Sequence, residues 1–441
     1  MQLQTKTDRT QAIVALSGLA LVGQLEAEID KIHAAESGEP DELVFDFADV
    51  SFTEPTTLQY VISLTLARAR RGRTTKLRLP AGEAGARVRD FLRRWRFPGA
   101  FSAVTGIRFF DFVDPLDHHY FRGLGGDRRP TRYSDATGDA EGVSESSTDA
   151  PRFFPFTTWK LTDYLESARI SDEALDTWSD ELVLSVLDRH LQPVNGGSEL
   201  ASSGVYVASR IVFEAMTNAI RHPGANFIQS SSVLRTPRAA AAVASSRTPQ
   251  KSAADAAMST QPDEHFTVTF WDDGTSMGKT LQAAILDGRS VRHEYPAALD
   301  TRYWLTLVQA ESEVSHDSHL IDSRAELDRG TPAHIALLAT IFPGVTSDVS
   351  GRGFRVHPEL QSSEPVLATQ GMGLFALVRT AIDRFGGAVT FRTGTYFMSV
   401  KRARSTQDAD YRVKIIVKAK STPEFLGNMI TIRLPLRRGT E

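Results

Sequence analysis

The sequence predicts an α/β protein in two parts, and three observations predict it. Strand-like and helix-like segments alternate over roughly the first 110 residues, the signature of a small α/β layer. A stretch poor in apolar side chains, Gly123–Pro151, then reads as a linker, because it cannot bury enough surface to order itself. Beyond it come an amphipathic helix at Arg210–Gly224, a strand ending in an acidic turn at Phe266–Met277, and a glycine loop opening a helix at Thr369–Gly387. The 441 residues exceed one typical domain, so two or three are expected.

Composition narrows the class. The chain is 41% hydrophobic and 24% charged, as in globular proteins with some inserts. Its formal net charge of -4 supplies no whole-chain field that would attract nucleic acid. With no cysteine there are no disulfides, thiolate nucleophiles or cysteine metal sites, which is compatible with a reducing compartment. The apolar run near the start lacks a clear cleavage site, and no run of about 18 apolar residues is present to span a membrane. The expected location is the cytoplasm, with no membrane partner.

In the first part, Ala12–Gly18 reads as a strand and Leu21–Ala35 as a helix with Leu21, Leu25, Ile29 and Ile32 on one face. Leu43–Phe47 is the clearest strand, followed by Val50–Phe52 and a helix over Leu58–Arg71 that Gly72 closes. Arg68, Arg70 and Arg71 then complement its C-terminal dipole. Thr56 or Thr57 is expected to cap that helix, with Pro55 favouring its start. A strand at Lys76–Pro80 and a helix at Val88–Trp95 complete the alternation. Arg68, Arg70, Arg71, Arg73, Arg78, Arg93, Arg94 and Arg96, with Phe91, Trp95 and Phe97 among them, form the most basic region, and a phosphate-contacting patch is its functional alternative. Asp90 and Glu83 dilute it, so nucleic acid is not the expected partner. Ile107–His119 is an aromatic packing segment, and Asp117, His118 and His119 read as loop residues because no further ligand follows at metal spacing.

In the second part, Trp159–Ala168 and Asp172–Leu191 read as helices and Asn226–Leu234 as a strand. Thr236–Glu264, rich in Ala and Ser, reads as an insertion in a hairpin. Glu214 and Asn218, four apart, project together from the edge of the Arg210–Gly224 helix. Phe266–Trp271 alternates as a strand and delivers Asp272, Asp273 and Gly274. Gly371 and Gly373 precede Leu374, Leu377, Val378, Ala381, Ile382 and Phe385, the apolar face of a helix that Gly386 and Gly387 stop before a strand at Ala388–Phe391. Tyr396–Val400, Tyr411–Val417 and Gly427–Pro435 are further strands. Between the two glycine boxes, Thr301–Val308 and Ala333–Ile341 look helical, and Gly351-Arg352-Gly353 is a basic loop suited to phosphate.

These three boxes together resemble the N, G1 and G2 boxes of the GHKL ATP-binding superfamily, closest in form to anti-sigma-factor serine kinases and histidine-kinase-like ATPase domains. The resemblance implies a Bergerat-type two-layer α/β sandwich of mixed sheet and helices, with ATP and Mg2+ as cofactors. Asn218 would then hold the metal and Glu214 would be the general base. Asp272 would accept the adenine amino group, and Gly274, Gly371, Gly373 and Leu374 would shape the pocket, with Arg352 as a further phosphate contact. Ser276 stands where the family has a second glycine, which is expected to reshape the turn. The family closes on a Gly-Thr segment. Gly427-Asn428 is the expected counterpart here and Gly394-Thr395 the rival.

The first part resembles a degenerate STAS domain, which places Thr56 where that family is phosphorylated, while Pro55 and Thr57 depart from its pattern. The resulting division is a STAS-like domain over 1–120, a linker over 121–151, and an ATP-binding domain over 152–437 with inserts at 236–264 and 279–368. A protein partner acting through the first domain is expected, and a homodimer is a further option. Three functions stay open: Mg-ATP turnover by hydrolysis or phosphotransfer, a nucleotide-gated switch without turnover, and an interaction protein on a decayed fold.

Overall fold

The computed structural model describes residues 10–16, 18–20, 22–53, 55–121, 153–161, 224–235, 264–289, 291, 308–312, 318–320, 327–342, 344–345, 347, 373–384, 386–402, 413–419 and 425–436. Helices and strands are mixed throughout these residues, giving an α/β protein in two compact units.

The first unit comprises Met1–Val143 with Pro155–Trp159 and Lys420–Leu426. Its strands β1 (Gln11–Ala15), β3 (Glu42–Asp46) and β5 (Thr74–Arg78) form a parallel sheet in that order. β2 (Gly18–Ala20) pairs in parallel with β4 (Val50–Thr53). Parallel neighbours require crossovers, which α1 (Val22–Glu36) and α2 (Pro55–Arg70) supply. α2 starts at Pro55, suited to a first helical position because its missing N–H has no partner to lose there. Thr56 and Thr57 therefore lie inside the first turn and do not cap it; both are buried.

α3 (Gly82–Arg94), α4 (Phe97–Thr105), α5 (Phe109–Phe112) and a 3-10 turn (Pro115–Phe121) follow. The aromatic segment packs as its composition predicts. Phe101 stacks on Phe112 at 4.2 Å between ring centroids, and Phe109 meets Phe121 edge-on at 5.1 Å. Trp95 and Phe97 pack against Phe156, and Tyr60 of α2 stacks on Phe425.

Two members of the basic region belong to the interior. Arg68 is 1% exposed, paired with buried Glu36, and donates to the carbonyl oxygens of Pro40 and Thr74, both at 2.9 Å. Burial pushes its guanidinium below the usual range, while Glu36 opposes that shift. Trp95 is buried too. Arg68 and Trp95 therefore knit the first unit together and are not surface phosphate contacts. Asp117 accepts the Leu79 N–H at 2.7 Å, a structural use of that carboxylate, and burial raises its pKa.

The second unit comprises Ser144–Phe154, Lys160–Ala419 and Gly427–Glu441. Its sheet contains β7 (Phe227–Arg235), β8 (Glu264–Asp272), β9 (Val308–Ser312), β10 (Ser318–Leu320), β11 (Ala388–Gly394), β12 (Tyr396–Arg402), β13 (Val413–Ala419) and β14 (Phe425–Leu436). With β6 (Phe153–Lys160), the strand order is β10-β9-β13-β12-β11-β14-β8-β7-β6. β9 and β13 are parallel; β7 with β8, β8 with β14 and β11 with β12 are antiparallel.

Three readings change. Trp159 and Lys160 end a strand and do not begin a helix: Phe156 and Thr158 are buried with the less buried Thr157 between them, the period of two that marks a strand. Val308 also opens a strand, so the 279–368 insert adds β9 and β10 to the sheet. Glu264 belongs to β8 and not to the 236–264 insert.

Helices flank the glycine boxes, and the sequence predicts the second and third of those that follow but not the first. α6 (Met277–Leu286) follows the acidic turn, α7 (Ala333–Ala339) lies within the second insert, and α8 (Gly373–Arg379) runs on into a π-helical turn at Thr380–Arg384. Leu374, Leu377, Val378, Ala381 and Ile382 are buried, as their spacing predicts.

Candidate functional site

The register of β7, β8 and β14 builds the site. Asp272 ends β8 opposite Ile228 on one side and Asn428 on the other. Because side chains alternate along a strand, Asp272, Phe270, Ile228, Ser230, Asn428 and Ile430 share one face of the sheet. Trp271, Thr269, Ser231 and Thr431 take the opposite face, where the Thr269 and Thr431 hydroxyls are 3.1 Å apart.

Asp272 is 4% exposed. Its Oδ1 accepts the Gly274 N–H at 2.9 Å and the Asn428 Nδ2–H at 3.0 Å. Burial pushes this carboxyl up to about 7, and the neighbouring Asp273 charge adds to the rise, while hydrogen bonds from Gly274 and from the side chain and backbone of Asn428 pull the other way. Asp273 is buried as well, but it is spent on the backbone. It accepts the N–H groups of Asn226 at 2.7 Å and Phe227 at 3.2 Å, and Asn226 Nδ2 at 2.9 Å. The adjacent carboxylates thus divide the work, with Asp273 tying the start of β7 to the turn and Asp272 facing the sheet's polar cluster.

Asn428 is the hub of that cluster and is 1% exposed. Its Nδ2 donates to Asp272 and, at 3.0 Å, to the Thr275 carbonyl oxygen. Its Oδ1 accepts the Met277 N–H at 2.8 Å and the Thr393 hydroxyl at 2.6 Å. Both donors and both acceptor sites of the amide are engaged.

The turn is also set by space. A Cβ on Gly274 would lie 3.0 Å from Asp272 Oδ1 and 3.1 Å from the Ala225 Cβ, so the residue is small because the turn is tight. Ser276 sits at φ -62 and ψ 138, extended backbone open to any residue. Serine carries no backbone strain here, since this position needs no left-handed conformation. Gly427, at φ 83, is the glycine that backbone geometry demands. A side chain there would also collide with the Asp272 carbonyl.

Asp272 and Gly274 are thus brought together, and Gly373 and Leu374 open α8, with Leu374 buried. Glu214, Asn218, Gly371 and Arg352 lie outside the described residues. Sequence reasoning singled out Asn428 only as the stand-in for a threonine and missed Thr393 and Asn226. Thr393 lies one residue before the rival Gly394-Thr395 segment, and Asn428 is the residue that pairs with Asp272, so both closing segments meet the turn. Among the described residues no cluster of three or more His, Asp or Glu side chains suits a metal ion, and no helix is long and apolar enough to cross a membrane. No family model, curated protein or solved structure matches the chain.

Proposed function

We propose that this chain is a Mg-ATP-binding protein of the Bergerat type that hydrolyses ATP or transfers its phosphoryl group to a protein hydroxyl, under control of its STAS-like first unit. The observation that carries the reading is the buried Asp272 at the end of a central strand, held by Gly274 and Asn428 beside the start of α6. A carboxylate in a water-poor site recognises a donor such as the adenine amino group, and the residues present fit that end of the nucleotide. Gly373 at the start of α8 supports a glycine-opened helix for the second box.

On this reading Asn218 would hold Mg2+, with phosphate oxygens and waters completing its shell. The ion would offset charge on the triphosphate during in-line transfer. Glu214, four residues earlier in the sequence, would take the proton from the attacking water or hydroxyl, and Arg352 would meet phosphate.

Titration calorimetry with Mg-ATP, together with phosphate-release and phosphotransfer assays on wild type, Glu214→Ala and Asn218→Ala, tests this. The expected result is Mg-dependent binding lost in Asn218→Ala, with turnover alone lost in Glu214→Ala. Undetectable wild-type binding at millimolar ATP overturns the reading, whereas binding without product reduces it to a nucleotide-gated switch.

A further inference from the structure

Resting on the ATP reading, we propose that Asn428 is a positioning residue for base selection, holding Asp272 as an ionised acceptor so that the site prefers a ring bearing an amino group to one bearing a carbonyl. The amide is saturated by Asp272, Thr275, Met277 and Thr393, so it has no capacity left for a ligand and acts through Asp272. The Gly274 N–H and the Asn428 side-chain amide both donate to Oδ1, and the Asn428 backbone N–H adds a further favourable interaction with the carboxylate. Oδ2 takes neither the Gly274 nor the Asn428 side-chain donor and is the oxygen assigned to reading the base.

A hydrogen bond given to a carboxylate favours its charged form. Around Asp272 that help is needed, because the facing groups among the described residues supply no cation. β7 presents Ile228, β14 presents Asn428, α6 begins with Met277, and the charged neighbour is Asp273. A protonated Asp272 would instead donate a hydrogen bond and accommodate a 6-oxo ring. Removing the Asn428 amide therefore shifts both the ionisation of Asp272 and the choice of ring.

The test follows the Asp272 carboxyl by 13C NMR titration of the ligand-free full chain, and compares ATP with inosine triphosphate by calorimetry at pH 7. Wild type, Asn428→Ala, Asn428→Thr and Thr393→Val are the proteins. In Asn428→Ala the titration midpoint is expected to rise by about one pH unit and the ATP preference to fall about tenfold, the change that one unit of ionisation corresponds to. Asn428→Thr, which keeps a hydroxyl donor, is expected to shift less, and Thr393→Val to lower thermal stability with the midpoint unmoved. An unchanged midpoint and preference in Asn428→Ala overturn the inference, as does a Thr393→Val shift as large as that of Asn428→Ala. Wild type that binds neither nucleotide overturns the ATP reading and this inference with it; wild type that binds ATP with an indifferent Asn428→Ala overturns this inference alone.

Discussion

Asp272 carries a measurable signature even without a ligand. Its native pKa, about 7, lies above the ordinary 3.8, so the folded chain retains a proton that the unfolded chain has released. Stability from this group is complete below the unfolded value and is lost as pH rises towards the folded one, at up to about 1.4 kcal/mol per pH unit. Asp272→Asn should therefore melt higher than wild type, by a margin that opens between pH 4 and 7 and then levels, as read by calorimetric scans. Glu36 gives the opposite lesson: Glu36→Gln leaves the Arg68 charge buried without its counterion, and urea unfolding should show a loss of about 3–5 kcal/mol. Neither burial could be read from the chain, because Arg68 sits among surface-type arginines and Asp272 in an ordinary acidic turn. Asn428 reaches Asp272 across 156 positions, and local periodicity does not encode such a partner.

Strands and helices were far more legible than their neighbours. Alternation marked β8, an apolar run behind a turn marked β3, and 3.6-residue spacing marked α1 and the buried face of α8, because a periodic pattern records which side is dry. The period failed where aromatics and threonines served a strand, as in β6, and it could not show that β9 and β10 extend the sheet. Pairing registers supply two tests. Gly427→Ala forces a left-handed residue and a clash with the Asp272 carbonyl; it should lower the melting temperature by several degrees, corresponding to more than about 1 kcal/mol. β7 and β8 end in register at Arg235 and His265, so replacing residues 236–263 with a short Asn-Gly turn should keep the circular dichroism spectrum and the melting temperature within a few degrees.

The first unit is not a single continuous stretch of the sequence. Phe156 completes the packing of Trp95 and Phe97, and Phe425 stacks on Tyr60, so the first unit draws on segments far along the sequence. A fragment ending at residue 121 should bind a hydrophobic dye and unfold at lower urea than the full chain, its aromatic fluorescence reporting the loss. The order of the large sheet has a consequence for synthesis. β14, the last of the described strands, is inserted between β11 and β8. A nascent chain leaving the ribosome therefore holds β8 and β11 without their common neighbour until residues 425–436 emerge. During that interval two strand edges remain open to other chains, and polypeptides that stop early are candidates for chaperone capture or aggregation.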